Sequence, residues 1–485
     1  MGNFKTILIA NRSEIARRVI RSAKECGYQT AAICSPHDET ALFVREASVY
    51  TKLAGNTPRE SYLDIEQVIA AAKKMKADAV HPGYGFLSEN AHFSEECNKA
   101  GIFFIGPKPD AIDLLGDKTK ARTLALKLGV PTPGGTTEAL NTADEAKAVA
   151  KKIGYPILLK AAAGGGGKGM RVVEREDEVE EALARAQGEA LSAFNDSRVY
   201  VEKYISRPRH IEFQVLADSH GNAVYLGERE CSIQRRHQKL VEEAPSPVMS
   251  EALRKEMGEA AIALVKAAKY EGAGTVEFLV DEDNKFYFLE VNTRLQVEHP
   301  VTEFITGYDL VREQFSIAEG NKLSFAQEDI QLRGHSIEVR IQAEDVWNDF
   351  LPSLGKITFV RHPGGAFVRN DSALYQGLEV SGFYDSLLAK LIVWDITRDG
   401  ARARMSRALE EMKVAGISTS IPFHRYVMDN ETFTKGKLST KFVEEEFTAE
   451  KRDELYQQYL KQCTPSLLAA AAELEKSTQR LQFVS

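Results

Sequence analysis

The sequence predicts an α/β protein of roughly three domains whose first domain is an open parallel sheet. Three observations carry this. Its 485 residues are about three times a common domain length of about 150. Short apolar runs alternate with amphipathic ones in the N-terminal part, the pattern of strand–helix–strand units. Beyond Gly320 the pattern changes to longer strand-like runs, which read as a separate α+β domain. The expected division is 1–115, then 116–325 with a subdomain over about 131–203, then 330–447, and a helical tail over 448–485.

Lys5–Ala10 is a short apolar strand, and Ser13 is expected to cap a helix that Gly27 stops. Strand Gln29–Ile33, a helix around Ile65–Met75, and strands Ala77–His81 and Ile102–Ile105 complete a parallel arrangement. The first turn, Asn11-Arg-Ser13, lacks the glycines that bind a pyrophosphate, which argues against a dinucleotide site there. His81-Pro-Gly-Tyr-Gly-Phe-Leu-Ser-Glu-Asn90 is a turn-rich loop at a strand's carboxyl end, the usual place for ligand contacts in such sheets.

A helix over Lys118–Leu128 ends at Gly129, and Pro131-Thr-Pro-Gly-Gly135 marks a boundary. Strand Tyr155–Lys160 leads into Ala161-Ala-Ala-Gly-Gly-Gly-Gly-Lys-Gly-Met170, then strand Arg171–Val173. So many glycines cost conformational entropy in a folded loop. That cost is understandable if backbone amides close over phosphates, or if the loop moves as a lid. It is not a Walker P-loop, since Gly169 follows Lys168 and no helix comes next. Strand Val199–Ile205 precedes His210–Leu216, where His210, Glu212 and Gln214 share a face. Arg229–Lys239 concentrates cations and amides, and suits one wall of an anion site. A helix from about Ser250 to Tyr270 follows.

Gly274–Val280 and Phe286–Asn292 read as a hairpin about the turn Asp281–Lys285. Alternation puts Phe286, Phe288, Glu290 and Asn292 on one face, and hairpin pairing sets Glu277 opposite Glu290. Two carboxylates facing across a ladder destabilise it by roughly a few tenths of a kcal/mol or more. A hard cation between them would remove that penalty, and clustered oxygen ligands suit magnesium beside a phosphate chain. An exposed hairpin with both acids in water is the plain alternative. Against it stand Arg294, Gln296, Glu298 and His299, a cation, an amide, a carboxylate and an imidazole close behind the pair.

Farther on, His335–Gln342, Gly355–Val360 and Leu387–Val393 read as strands. Asp399 is expected to cap a helix carrying Met405, Ala408, Leu409 and Met412 on one face and ended by Gly416.

The net charge of −8 argues against a general nucleic-acid binder. No apolar run approaches the roughly 20 residues that span a bilayer, and the chain opens directly into a strand with no signal-peptide pattern. The five cysteines are odd in number and far apart, fitting neither a disulfide framework nor a zinc site. A reducing cytoplasm is the expected location.

Ala10-Asn-Arg-Ser-Glu-Ile-Ala16, the His81–Asn90 loop, the glycine lid, Arg235-Arg-His-Gln-Lys239 and Glu290-Val-Asn-Thr-Arg-Leu-Gln-Val-Glu-His-Pro300 together resemble biotin carboxylase, an ATP-grasp enzyme of the biotin-dependent carboxylases. The resemblance runs in order from about residue 3 to 446. It implies that the central domain is an ATP-grasp domain with a glycine-lid subdomain. It also implies a reaction, in which ATP activates bicarbonate as carboxyphosphate and the carboxyl group passes to a ureido nitrogen of biotin.

By the same resemblance, Lys118, Lys160 and the lid glycines Gly164, Gly165, Gly166 and Gly167 hold the phosphates, with Met170 beside the nucleotide. Glu277, Glu290 and Asn292 hold magnesium, for which manganese could substitute. Glu202, Lys203, Ile205, His210, Gln234 and His237 form the adenine pocket. Lys239, Arg294, Gln296 and the Val297 backbone bind bicarbonate, and Glu298 is the base that deprotonates it. Arg340 stabilises the enolate form of biotin, and Tyr84 shapes the biotin pocket.

Ser13, Val346 and Leu354 depart from the family pattern where glycine, proline and proline are usual. The sequence contains no Ala-Met-Lys-Met-type biotinylation site and no carboxyltransferase region. The carrier protein and carboxyltransferase are therefore expected on other chains, with this chain a homodimer in an acetyl-CoA carboxylase or pyruvate carboxylase type complex. The final acceptor, an acyl-CoA, pyruvate or another 2-oxo acid, would be chosen by that partner. Two rival readings are an ATP-grasp ligase acting on a different acceptor and a non-catalytic nucleotide-binding scaffold. The second would be expected to lose Lys239, Glu298 or Arg340, and all three are present.

Overall fold

The computed structural model describes residues 4–136, 138–140, 142–162 and 169–461. Strands β1 (Thr6–Ile9), β2 (Gln29–Cys34), β3 (Val49–Lys52), β4 (Ala79–His81) and β5 (Phe103–Phe104) form a parallel sheet in the order β3-β2-β1-β4-β5. Ile7, Leu8 and Ile9 are fully buried between helices on its two faces. The first helix spans Ser13–Glu25, so Ser13 is its first residue and not its cap. Arg12 occupies the cap position, and Ser13 has φ 61°. That left-handed conformation is one a glycine would adopt without strain.

The Asn11 amide, instead of a glycine-rich turn, organises the sheet's carboxyl edge. It donates to the carbonyls of Pro82 (2.7 Å) and Tyr84 (2.8 Å). Buried His81 accepts from the Gly83 amide through Nδ1. These bonds hold the 81–90 loop against the first turn.

Strands β6 (Ile157–Ala161), β7 (Arg171–Val173) and β8 (Val199–Lys203) make a separate antiparallel sheet in the order β7-β6-β8. The glycines of the expected lid lie outside the described residues.

The largest sheet is antiparallel throughout. It comprises β9 (Arg209–Ala217), β10 (Ala223–Arg235), β11 (Gln238–Ala244), β12 (Gly272–Val280), β13 (Phe286–Asn292), β14 (His335–Gln342), β15 (Val368–Ser372) and β16 (Leu387–Asp395), in the order β13-β12-β9-β10-β11-β14-β16-β15. The sheet thus runs without a break from the residues before 325 into those after 330. Pairing of β11 with β14 sets Glu242 against Glu338 and Val241 against Val339.

Two expectations for the C-terminal part are corrected. Gly355–Val360 is not one strand: Gly355–Lys356 and Phe359–Arg361 pair with different partners. The helix Arg398–Glu411 is capped by Thr397, whose hydroxyl accepts from the Gly400 amide, and it ends at Met412, before a short strand rather than at Gly416. Met405, Ala408, Leu409 and Met412 are buried, as the spacing predicts.

A helix over 449–461 begins the tail. It lays Tyr456 and Tyr459 on Trp347, with ring centroids 5.4 and 5.7 Å away, and Leu455 on the C-terminal core. The tail beyond 461, with Cys463 and the run Leu467–Glu475, lies outside the described residues. No helix among the described residues is long and apolar enough to cross a membrane.

Candidate active site

The carboxyl edge of the parallel sheet, the three-stranded sheet and one face of the eight-stranded sheet enclose a cleft of about 1510 Å³. That exceeds the roughly 300–1,000 Å³ of a single-ligand pocket. All the proposed site residues within the described part of the chain line it.

The hairpin β12–β13 is in the expected register at its key point, with Glu277 paired to Glu290. Immediately after Glu277 the ladder shifts by one residue, so Phe278 pairs with Phe288. This bulge corrects the expected face. Phe286, Phe288 and Val291 enter the core against Val276 and Phe278, while Glu290 and Asn292 turn to the cleft. An extra residue in one strand reverses which side chains share a face.

The two carboxylates do not share one cation in this structure. Glu290 Oε2 lies 2.9 Å from Lys118 Nζ. Glu277 Oε1 accepts from Lys239 Nζ (2.9 Å), Asn292 Nδ2 (2.9 Å) and Gln296 Nε2 (2.8 Å), and its Oε2 lies 3.0 Å from His210 Nε2. Burial disfavours the Glu277 charge, but Lys239 and His210 outweigh it and hold its pKa well below the usual carboxylate range. His210 is raised by the same neighbour, against the pull of burial.

Lys239 stands on β11 just past a tight turn in which Arg236 (φ 50°) and His237 (φ 65°) are left-handed. Its ammonium donates to Glu212, Glu277 and Glu298, the last at 2.7 Å. Burial would lower its pKa, and the three carboxylates push it well above the lysine range. Arg340 approaches from β14, with Nη2 3.0 Å from Glu298 Oε2 and Nε 2.6 Å from Glu242 Oε1. Glu298 is buried, yet Lys239, Arg340 and Arg229 hold its pKa well below the usual range. Glu242 feels burial more than its arginine and is pushed up to about 7.

Arg294 turns outward to Glu89, with Nε 2.8 Å from Oε2, and donates to Asn292 Oδ1 at 3.0 Å. The Val297 carbonyl accepts from buried Lys390 Nζ at 2.7 Å. Tyr84 stands at the same end, its ring centroid 5.8 Å from that ammonium.

At the other end Lys160 Nζ pairs with Glu202 Oε2 (3.0 Å), whose Oε1 takes Arg122 Nη1 (2.8 Å). Lys203 lines the cleft and sends its ammonium to the carbonyls of Gly154 and Tyr155. Met170, Ile205, Gln234 and His237 line this end.

Sequence reasoning missed Glu89, Arg122, Glu242 and Lys390 as partners of the site, although each lies in or beside a segment it singled out or expected to be regular. It also took Arg229 for a cleft wall, whereas Arg229 is fully buried beneath the cleft.

Family models for the biotin carboxylase N-terminal domain, the carbamoyl-phosphate synthase L chain ATP-binding domain and the biotin carboxylase C-terminal domain match residues 3–112, 117–326 and 338–445. The chain is 52% identical over 442 residues to a pyruvate carboxylase subunit of Methanothermobacter thermautotrophicus, covering 91% of this chain and 90% of that protein. It is 51% identical over 442 residues to a biotin carboxylase of Nostoc sp., covering 91% and 99%.

Among solved structures it resembles a biotin carboxylase–β,γ-ATP complex from Campylobacter jejuni, with TM-score 0.89, 49% identity, and 91% and 99% of the two chains covered. The biotin carboxylase domain dimer of Hydrogenobacter thermophilus 2-oxoglutarate carboxylase, in complex with MgADP, ADP and bicarbonate, gives TM-score 0.89 at 47% identity, covering 91% and 97%. With its parallel N-terminal sheet, ATP-grasp domain and C-terminal domain, this chain belongs to the biotin carboxylase family of ATP-dependent ligases.

Proposed function

We propose that this chain uses ATP and bicarbonate to carboxylate biotin carried on a separate protein, the first half-reaction of an acetyl-CoA carboxylase or pyruvate carboxylase type complex. The observation that carries the reading is the convergence of Lys239 and Arg340, from different strands, on the two oxygens of Glu298. A biotin carboxylase and one pyruvate carboxylase subunit are themselves matched over 99% and 90% of their own length, and subunits of that kind support a reading with the carrier and carboxyltransferase on other chains. The dimer of a 47% identical neighbour supports a homodimer.

Lys118, Lys160 and the lid glycines take the phosphates, and Met170, Glu202, Lys203, Ile205, His210, Gln234 and His237 the nucleoside. Lys160 and Lys118 then exchange carboxylate partners for phosphate oxygens, which keeps both ammonium groups paired. Glu277, Glu290 and Asn292 offer only hard oxygen ligands, and Glu277 is ionised, so the set fits magnesium or manganese. When bound, the ion neutralises phosphate charge.

Bicarbonate lies against Lys239, Arg294, Gln296 and the Val297 backbone. It passes its proton to Glu298 and attacks the terminal phosphorus of ATP, giving carboxyphosphate and ADP. Bicarbonate is a poor nucleophile, so a base beside it and fixed cations around the developing charge are what the step needs. In the free protein Lys239 and Arg340 make Glu298 a weak base. A substrate anion that draws those cations to itself raises the basicity of Glu298 when it is needed. Arg340 then steadies the negative charge on the biotin ureido oxygen, with Tyr84 shaping the pocket.

The test is ADP release measured with bicarbonate present and absent, and with free biotin present and absent. Rapid release only when both are supplied is expected. Release that ignores biotin but responds to another amine would overturn the assignment in favour of a different ATP-grasp ligase.

A further inference from the structure

We propose that Arg229, which does not itself line the cleft, is a positioning residue that fixes the direction in which Gln296 presents its amide to bicarbonate. The proposal rests on the reading of Gln296 as a bicarbonate ligand and extends it one layer inward.

Arg229 is fully buried and does not line the cleft. Its guanidinium donates through Nε to Glu212, through Nη1 to Gln214 Oε1 (2.8 Å) and Thr302 Oγ1 (3.0 Å), and through Nη2 to Thr275 Oγ1 (3.1 Å) and Gln296 Oε1 (2.9 Å). These acceptors come from two strands, the loop before a helix and the helix itself. A planar fork of donors reaches them together, which a single ammonium could not do.

A carboxamide can be turned over at almost no change in shape, exchanging its donor and acceptor ends. Gln296 has no such freedom. Arg229 is donor-only, so the side of the amide facing it must be oxygen. Glu277 Oε1 already accepts from Lys239 and Asn292, so the side facing it must be the NH₂ group, 2.8 Å from that oxygen. The two charged neighbours act in the same sense and leave one orientation. That orientation turns a donor toward the cleft, as an anion requires.

Glu212 completes the arrangement. It accepts from Arg229 on one oxygen and from Lys239 on the other. The buried arginine thus balances the carboxylate that anchors the lysine of the same anion site.

The test measures steady-state KM for bicarbonate, kcat and ADP affinity on the full chain for Arg229→Lys, Gln296→Ala and the double variant. Arg229→Lys keeps the charge and loses the fork, and is expected to raise bicarbonate KM by about tenfold, with a smaller change in kcat and unaltered ADP affinity. The double variant should be no worse than Gln296→Ala alone, because both changes remove the same presentation of the amide.

If Gln296→Ala raises bicarbonate KM and Arg229→Lys does not, the positioning role is overturned while the bicarbonate reading stands. If Gln296→Ala leaves bicarbonate KM unchanged, the bicarbonate reading fails and the proposal with it. If Arg229→Lys does not fold, Thr302→Val decides. Loss of that one anchor should raise bicarbonate KM by about two- to threefold, and an unchanged value overturns the proposal.

Discussion

Glu277 and Glu290 stand directly opposite one another on neighbouring strands, and each carboxylate takes its own lysine, Lys239 for Glu277 and Lys118 for Glu290. Two acids across a ladder are unfavourable unless cations intervene, and here the cations come from β11 and from the helix Lys118–Lys127. The pairing offsets the repulsion between the two carboxylates in the free protein, and both are proposed ligands of a nucleotide-bound metal. Glu290→Lys would set an ammonium against Lys118 and remove a hard oxygen ligand. It is expected to abolish ATP cleavage while circular dichroism stays native. Cleavage by the wild type in the presence of a strong magnesium chelator would refute the metal assignment.

Glu298 has a testable pH signature. Burial opposes its charge, but Lys239, Arg340 and Arg229 hold its pKa well below the carboxylate range in the free protein. The profile of kcat/KM for bicarbonate reports the free enzyme, so Glu298 should contribute no acid limb to it above about pH 5. That of kcat reports the complex, where the limb should move upward. Glu298→Gln keeps the size and removes the base, and should lower kcat by about 100-fold or more with ADP affinity retained. Near-normal turnover in that variant would remove Glu298 from the base role.

How much of this was legible in the sequence differs from residue to residue. Alternation and the Asp281–Lys285 turn suffice to set Glu277 against Glu290. They cannot show the bulge beside it, because Leu289, the unpaired residue of β13, is of an ordinary strand-forming type. The face shared by His210, Glu212 and Gln214 follows from a period of two. The burial of Arg229 does not, because its five acceptors meet it only when three strands, a helix and the loop before that helix assemble. Glu89 lay within a loop picked out for ligand contacts, but its bond to Arg294 spans over two hundred residues. The roles given to single site residues came from resemblance to a family, not from periodicity. Capping was misread at both helix starts for one reason: Ser13 and Asp399 each stand within two residues of the true cap, and side-chain preference does not resolve so small an offset.

The tail helix makes a stability prediction. Tyr456 and Tyr459 cover Trp347, and Arg452 lies 3.5 Å from Asp349, which also pairs with Arg235 and Arg236 on the turn before His237. Aromatic pairs of this kind are worth roughly 0.5–1.5 kcal/mol each beyond their buried area, whereas the exposed ion pair is worth little. Replacing both tyrosines by alanine should lower the thermal midpoint by a few degrees and shift Trp347 fluorescence to the red. Bicarbonate-dependent turnover at 25 °C should be unchanged. An unaltered midpoint and spectrum would mean that the helix does not rest on Trp347 in solution.

Glu14 should make stability fall as pH rises through neutrality. It is 1% exposed, follows the left-handed Ser13, and has Lys390 as its ion-pair partner, 3.5 Å away, with Arg369 also acting on it. Burial is the largest influence and raises its pKa from 4.5 to about 7, with Lys390 partly opposing. A carboxyl whose folded pKa is raised contributes stability that is fully present below about 4.5 and is lost as pH rises to about 7. The whole effect is worth about 3 kcal/mol at 1.36 kcal/mol per unit. Glu14→Gln holds the neutral form at every pH. Compared with the wild type, its thermal midpoint should therefore gain most near pH 8 and least near pH 5. Midpoints that run parallel across that range would show that Glu14 ionises in the folded protein much as it does in the unfolded chain. Lys390 would then have to compensate fully for its burial.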